Sequence, residues 1–140
     1  MIRTAVTTNR FRRCMAVAVA ATTVLAGAMS AAVADEKKGE VPEAAMKEAQ
    51  EIFSTRCSVC HGTSGKGDGP GSAVLNPKPR NLTDPEWQKS VNDEYIEKAI
   101  QYGGAAVGKS AMMPNNPDLL AKPDVVKGIR IVVRGLGHHE

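Results

Sequence analysis

Cys57-Ser58-Val59-Cys60-His61 sets two thiols and an imidazole within five consecutive residues. On a helix, positions i, i+3 and i+4 share a face, so Cys57, Cys60 and His61 converge on one side. Two thiols at this spacing can add to the two vinyl groups of a single haem. The histidine that follows can then bind the iron of the same porphyrin. Two other chemistries use paired cysteines. A dithiol redox pair calls for a βαβ context, and the pattern that follows offers none. A zinc site calls for a second ligand pair, and no cysteine lies beyond His61. Covalent attachment of one haem c is the chemistry these residues favour.

An iron held by one imidazole has a further axial position to fill. Met112-Met113-Pro114 lies on a separate segment after a glycine-rich turn. Neutral thioether sulfur favours ferrous iron and raises the reduction potential. Adjacent residues of an extended chain point opposite ways, so one of the two methionines can face the iron. Pro114 pushes its predecessor toward extended geometry, which favours Met113, with Met112 as the alternative. The plainer reading makes both methionines core gap-fillers. His138 and His139 carry ligand-type nitrogens too, but lie beyond Gly137 at the chain end, where a solvated tail is expected.

A second pattern points elsewhere. Gly103-Gly104-Ala105-Ala106-Val107-Gly108-Lys109-Ser110 matches the phosphate-binding pattern GxxxxGK[ST]. That motif works between a strand and the N-terminus of a helix. Here a predicted helix precedes it and Pro114 closes the segment shortly after. The glycines are expected to turn the backbone beneath a haem edge, and no nucleotide is expected.

The elements that must position these groups begin after an address segment. Arg3, Arg10, Arg12 and Arg13 precede a small-residue apolar run over 15–29, and Ala32-Val33-Ala34 is an A-x-A cleavage signal. Residues 1–34 therefore read as a cleaved secretory signal peptide. The run is shorter than the ~20 residues of a membrane span, although an uncleaved anchor is the alternative. Of the 18 basic residues four precede residue 35, and none of the 15 acidic ones does. Residues 35–140 thus carry 14 basic and 15 acidic residues, a net of −1, and the basic charge of the whole chain gives no ground for nucleic-acid binding.

Residues 35–140 read as one small domain. They hold four aromatic residues, Phe53, Trp87, Tyr95 and Tyr102. A covalently held macrocycle would supply apolar bulk that so small a core lacks. Pro42 and Glu43 suit the start of a helix, and Ala45, Met46, Ala49, Ile52 and Phe53 recur at helical spacing up to the cysteines. The glycine-rich stretch 62–71 is suited to close approach to a flat ligand. Thr83 is a predicted cap for a short helix over 84–90, and Asn92 for one over 93–102 that stops at Gly103. The last helix carries a stripe of Val125, Val126, Ile129, Val132, Val133 and Leu136, with Lys127, Arg130 and Arg134 on the wet side. Nothing alternates with period two over a useful length, so the fold class is all-α.

Residues 41–136 resemble a class I monohaem cytochrome c of the small soluble bacterial type. The specific parts are the CxxCH at the end of a first helix, Gly67-Asp68-Gly69-Pro70, Pro77-Lys78-Pro79-Arg80-Asn81-Leu82-Thr83, and Gly108-Lys109-Ser110 followed two residues on by Met113-Pro114. The resemblance implies three main helices plus short ones around one haem, thioether links at Cys57 and Cys60, proximal His61 and distal Met113. It also implies a proline carbonyl accepting the Nδ1–H of His61, from Pro70 or else Pro79. Arg80 and Trp87 resemble positions that hydrogen-bond haem propionates. The family crosses its first and last helices with an aromatic on each. Phe53 matches, but the last helix offers only aliphatic residues, and Gly128 or its neighbours are expected to permit close approach instead.

With both axial positions filled by protein, no position is open to a substrate, which implies an electron carrier and no enzyme. The expected role is a soluble, monomeric periplasmic shuttle between a quinol- or substrate-oxidising complex and an oxidase or reductase. Docking would be transient, at an exposed haem edge rimmed by Lys66, Lys78 or Lys109. Two alternatives stand beside it: a gas-binding or peroxidase-type module with a labile sixth ligand, and a fixed haem subunit of a periplasmic oxidoreductase.

Overall fold

A computed structural model describes residues 40–138, so the signal segment 1–34, the boundary at residue 35 and His139 lie outside the described residues. Helix α1 spans Glu43–Ile52 and α2 spans Ser58–His61, with α3 at Pro85–Ser90, α4 at Asp93–Tyr102 and α5 at Pro123–Leu136. Short 3-10 turns at Pro70–Val74, Gly104–Val107 and Pro117–Leu119 punctuate the connections, and no strand occurs among the described residues. The all-α expectation holds.

The first helix is not one uniform rod. Between α1 and α2 the chain widens into a π turn over Phe53–Cys57, where the Ser58 N–H reaches the Phe53 carbonyl. Three hydroxyls support the widened turn: Ser54 Oγ and Thr55 Oγ1 both bond the Glu51 carbonyl, and Ser58 Oγ bonds that of Ser54 at 2.5 Å. Such side-chain bonds compete with the regular ladder and bend a helix. A π turn inserts an extra residue and rotates everything after it, which sets the direction in which the cysteine motif leaves α1. Hydrophobic spacing alone carries no signal of that insertion.

Capping follows sequence with one shift. Asn92 Oδ1 accepts from the Tyr95 N–H at 2.9 Å, and Gly103 (φ 80°) ends α4 with its N–H on the Ala99 carbonyl. At α3, however, the cap is Asp84 rather than Thr83. Asp84 Oδ1 accepts from Glu86 N and Trp87 N. Pro85 takes the first helical position, which makes its predecessor the cap; Thr83 instead bonds the Asn81 side chain.

The core forms where α1 crosses α5. Ala49 is fully buried, and a Cβ added at Gly128 would lie 2.7 Å from the Cβ of Ala49. The missing side chain lets two backbones meet where an aromatic pair was absent. Val125, Val126, Ile129 and Val133 are buried beside them, while Val132 and Leu136 are half-buried against the same core. The opposite face departs from expectation. Arg130 and Arg134 are not on a wet side: they are about four-fifths buried and bind the start of α4. Arg130 pairs with Asp93 and with Glu97 at 2.9 Å. Arg134 bonds Asp93, the Gln88 carbonyl at 2.6 Å and the Val91 carbonyl at 2.8 Å. A guanidinium has five donors, so one side chain can satisfy acceptors at the end of α3 and the beginning of α4 together. Gln88 completes the seam, donating to both Leu82 O and Val133 O.

Two glycines of α5 should behave oppositely when changed to alanine. Gly128→Ala should lower stability by ~1–3 kcal/mol through overpacking, because its Cβ meets Ala49. Gly135→Ala, whose Cβ meets nothing within 4 Å, should raise it by ~0.5–1 kcal/mol through helix propensity. Urea midpoints of the two variants check the pair.

Candidate functional site

Cys57 closes the π turn, and Cys60 and His61 complete α2. Both cysteines are free thiols and half-buried. Burial pushes the Cys57 thiol above its ordinary pKa, which keeps it protonated. The His61 ring lies with Nδ1 3.1 Å from the carbonyl oxygen of Arg80. A carbonyl can only accept, so Nδ1 carries the proton and Nε2 carries the lone pair. Burial lowers the pKa of His61, outweighing the opposing pull of the Arg80 carbonyl, so the ring is neutral at neutral pH.

The acceptor for His61 is therefore neither Pro70 nor Pro79. In extended backbone successive carbonyls face opposite ways. The Pro79 carbonyl is turned toward Gly67, where an added Cβ would come within 2.4 Å of it, and the next carbonyl, that of Arg80, meets the imidazole. Pro70 is exposed and opens the 3-10 turn that follows the glycines.

The glycine-rich loop packs against protein backbone. The N–H groups of Gly62, Gly67 and Gly69 bond the carbonyls of Ser58, His61 and Cys60, at 2.8, 2.8 and 3.2 Å. These are the carbonyls that a helix end leaves without partners. An added Cβ at Gly69 would stand 2.4 Å from both Ser58 O and Val59 O. The close approach that calls for glycine is thus to α2 itself, and it locks the turn that carries Cys60 and His61.

Arg80 also reaches α3 with its side chain. The guanidinium pairs with Asp84 and lies over the Trp87 ring, 5.7 Å from its centroid. Trp87, Tyr95, Val107 and Lys109 line an open cavity of about 510 Å³ between α3, α4 and the Gly104–Val107 turn.

The two methionines differ in environment. Met112 is 60% exposed, whereas Met113 is half-buried. The Met113 carbonyl accepts from Gly104 N at 3.0 Å, and its N–H bonds the Ser110 carbonyl at 3.2 Å. Added Cβ atoms would strike Ser110 O at Gly104 and Met113 O at Gly103, at 2.2 and 2.7 Å. The P-loop-like glycines therefore serve to seat the methionine segment on the end of α4. A helix precedes them, as expected. After Met113, Asn116 fixes the same helix end: its N–H bonds Gln101 O at 3.0 Å and its Nδ2 bonds Ile100 O at 2.6 Å. Asn116, Arg56 and Gln88 carry no role in the sequence reading, and no local pattern marks them.

Of the three rim lysines, Lys78 is engaged, donating to Ser72 O and Ala73 O at 2.8 and 3.0 Å. Lys66 and Lys109 are exposed. His138 is exposed at the end of the described chain. Among the described residues no three His, Cys, Asp or Glu side chains gather to hold a metal. The donor set instead fits a haem: two free thiols and a neutral imidazole whose Nε2 lone pair is left available.

Gly69→Ala should cost ~2–4 kcal/mol of stability, since its Cβ would overlap backbone that cannot swing aside. The expected outcome is a low yield of pigmented protein and a lowered thermal midpoint in what is recovered.

The family model described as Cytochrome c matches residues 46–125, from α1 through the start of α5. No curated protein matches the chain. The match spans more than half of the sequence and takes in the paired thiols, His61 and the methionine segment. The chain belongs to the cytochrome c family, which implies a covalently bound c-type haem and haem-based electron transfer.

Proposed function

We propose that the protein is a periplasmic one-electron shuttle in which Cys57 and Cys60 hold the haem and His61 and Met113 bind the iron axially. The observation that carries this reading is the His61 ring, neutral and oriented by the Arg80 carbonyl beside two free thiols. When bound, the haem supplies an iron that alternates between ferric and ferrous states. The protein's share is to hold its ligands still. The α2 carbonyls are tied off by the glycine loop, and an oriented Nδ1–H makes Nε2 a better donor to metal. Met113 is favoured over Met112 by its burial and by the backbone bonds that bracket it. Arg80 and Trp87, already in contact, are suited to meet the propionates.

Partners would be a quinol- or substrate-oxidising complex as donor and an oxidase or reductase as acceptor. Val59, between the two cysteines, and Val74, on the neighbouring 3-10 turn, are 45% and 89% exposed. Exposed apolar residues beside the attachment site suit a brief, weakly oriented encounter, with Lys66 and Lys109 as rim charges. Lys78, spent on backbone carbonyls, is a weaker candidate. The export-type segment 1–34 supports the compartment. No described helix is long and apolar enough to cross a membrane.

A redox titration with spectra of both oxidation states tests the ligand set. Met113→Ala should remove the weak far-red band of ferric methionine ligation and admit carbon monoxide to the ferrous form. It should also lower the potential by on the order of 0.1 V or more, within the range axial ligands set. Met112→Ala should do none of these. The reverse pattern would reassign the ligand.

A further inference from the structure

The segment bearing Met113 is tied on both sides to one place, the C-terminal end of α4. Gly104 N holds the Met113 carbonyl, and Asn116 bonds Gln101 O and Ile100 O. None of those bonds relates the segment to α2, which carries His61. Arg56 makes that connection. It immediately precedes Cys57, and its Nη1 donates to Asn116 Oδ1 at 2.9 Å. The same guanidinium grips Asp118 with two bonds of 3.1 Å, Nη1 to Oδ1 and Nη2 to Oδ2. The Asn116 amide thus has both ends in use: its oxygen on Arg56 and its nitrogen on α4. A bidentate guanidinium–carboxylate pair adds geometric definition that a single charge contact lacks.

We propose that Arg56 is a positioning residue for the axial sulfur, fixing the Met113 segment relative to the haem-bearing turn through Asn116 and Asp118. The inference rests on the reading of Met113 as the ligand. A ligand on a loosely held segment leaves the metal more often, and an exogenous ligand then competes more easily, because apparent affinity scales with the fraction of protein in the competent state. Arg56 and Asp118 are each about half exposed, so their pair contributes little to global stability. Its effect on one loop can be separated from its effect on the fold.

The probe is imidazole titrated into the ferric, haem-loaded protein, read optically, alongside hydrogen exchange at the Gly104 and Asn116 amides. Arg56→Ala should bind imidazole about tenfold more tightly and exchange faster at both amides. Arg56→Lys, which retains one donor for Asn116 Oδ1, should lie nearer to wild type. Asp118→Asn should fall between Arg56→Lys and Arg56→Ala. Wild-type imidazole affinity and exchange in Arg56→Ala, with only the thermal midpoint lowered, would overturn the proposal in favour of a merely stabilising contact. If Arg56→Ala yields no haem-loaded protein, Asn116→Ala and Arg56→Lys decide: unchanged imidazole affinity in both overturns it, and tighter binding in Asn116→Ala supports it. Met113→Ala is run in parallel. If it leaves the far-red band and imidazole affinity unaltered, the ligand assignment fails; if it changes them while the Arg56 variants do not, the positioning role alone fails.

Discussion

The π turn and α2 must together present two thiols and an imidazole on one side, while the terminal carbonyls of α2 have no partners within the helix. The protein meets this constraint with backbone. Three loop amides cap Ser58, Cys60 and His61, and the approach is so close that a side chain at Gly69 has no room. Ordering a glycine-rich loop costs backbone entropy, but a cap made of backbone cannot swing away as a single side chain can. The same loop carries the chain around to Leu82, whose N–H bonds Gly65 O at 2.7 Å, and so brings the Arg80 carbonyl beside His61. One steric arrangement thereby fixes both the position of the imidazole and its tautomer.

The methionine side repeats the device on another helix. α4 ends at Gly103, and Gly103 and Gly104 leave space for the 110–115 backbone to lie against them. Both candidate ligands thus sit on segments docked at helix C-termini through glycine. The aliphatic core at the α1–α5 crossing sets the gross arrangement of the helices. Polar ties, Arg134 on α3 and α4 and Arg56 on Asn116, set the finer register. Apolar contacts are non-directional and tolerate sliding, whereas hydrogen bonds with fixed geometry do not.

What could be read from sequence was what local spacing encodes. The CxxCH places its three groups on one face without help from the rest of the chain. Asn92 and Gly103 bound α4 because capping is decided within a few residues, and the Val125-to-Leu136 stripe fixes which face of α5 is inward. The close approach at Gly128 was suggested by the family resemblance, which implies an aromatic on the last helix that this chain lacks. Three things were not legible. The π turn costs no change in hydrophobic pattern. The acceptor for His61 differs by one residue from Pro79, a distinction set by which of two successive carbonyls faces the imidazole. Arg130 and Arg134 fall opposite the apolar stripe, and periodicity cannot say that Asp93 and Glu97 will come to lie against them from a different helix.

Low reorganisation is the requirement that joins these features to one-electron transfer. A group that changes charge inside a protein disturbs its surroundings less when neighbouring dipoles are already fixed and water is sparse. Here the Nδ1–H of His61 is committed to a backbone carbonyl. That carbonyl belongs to Arg80, whose own side chain is held by Asp84 and Trp87. Movement of the imidazole would therefore have to carry with it the start of α3, and α3 is bound at its other end by Arg134. The helices far from the thiols thus restrain the imidazole through a continuous set of contacts, and the rigidity that electron transfer calls for is a property of the fold rather than of the attachment motif alone.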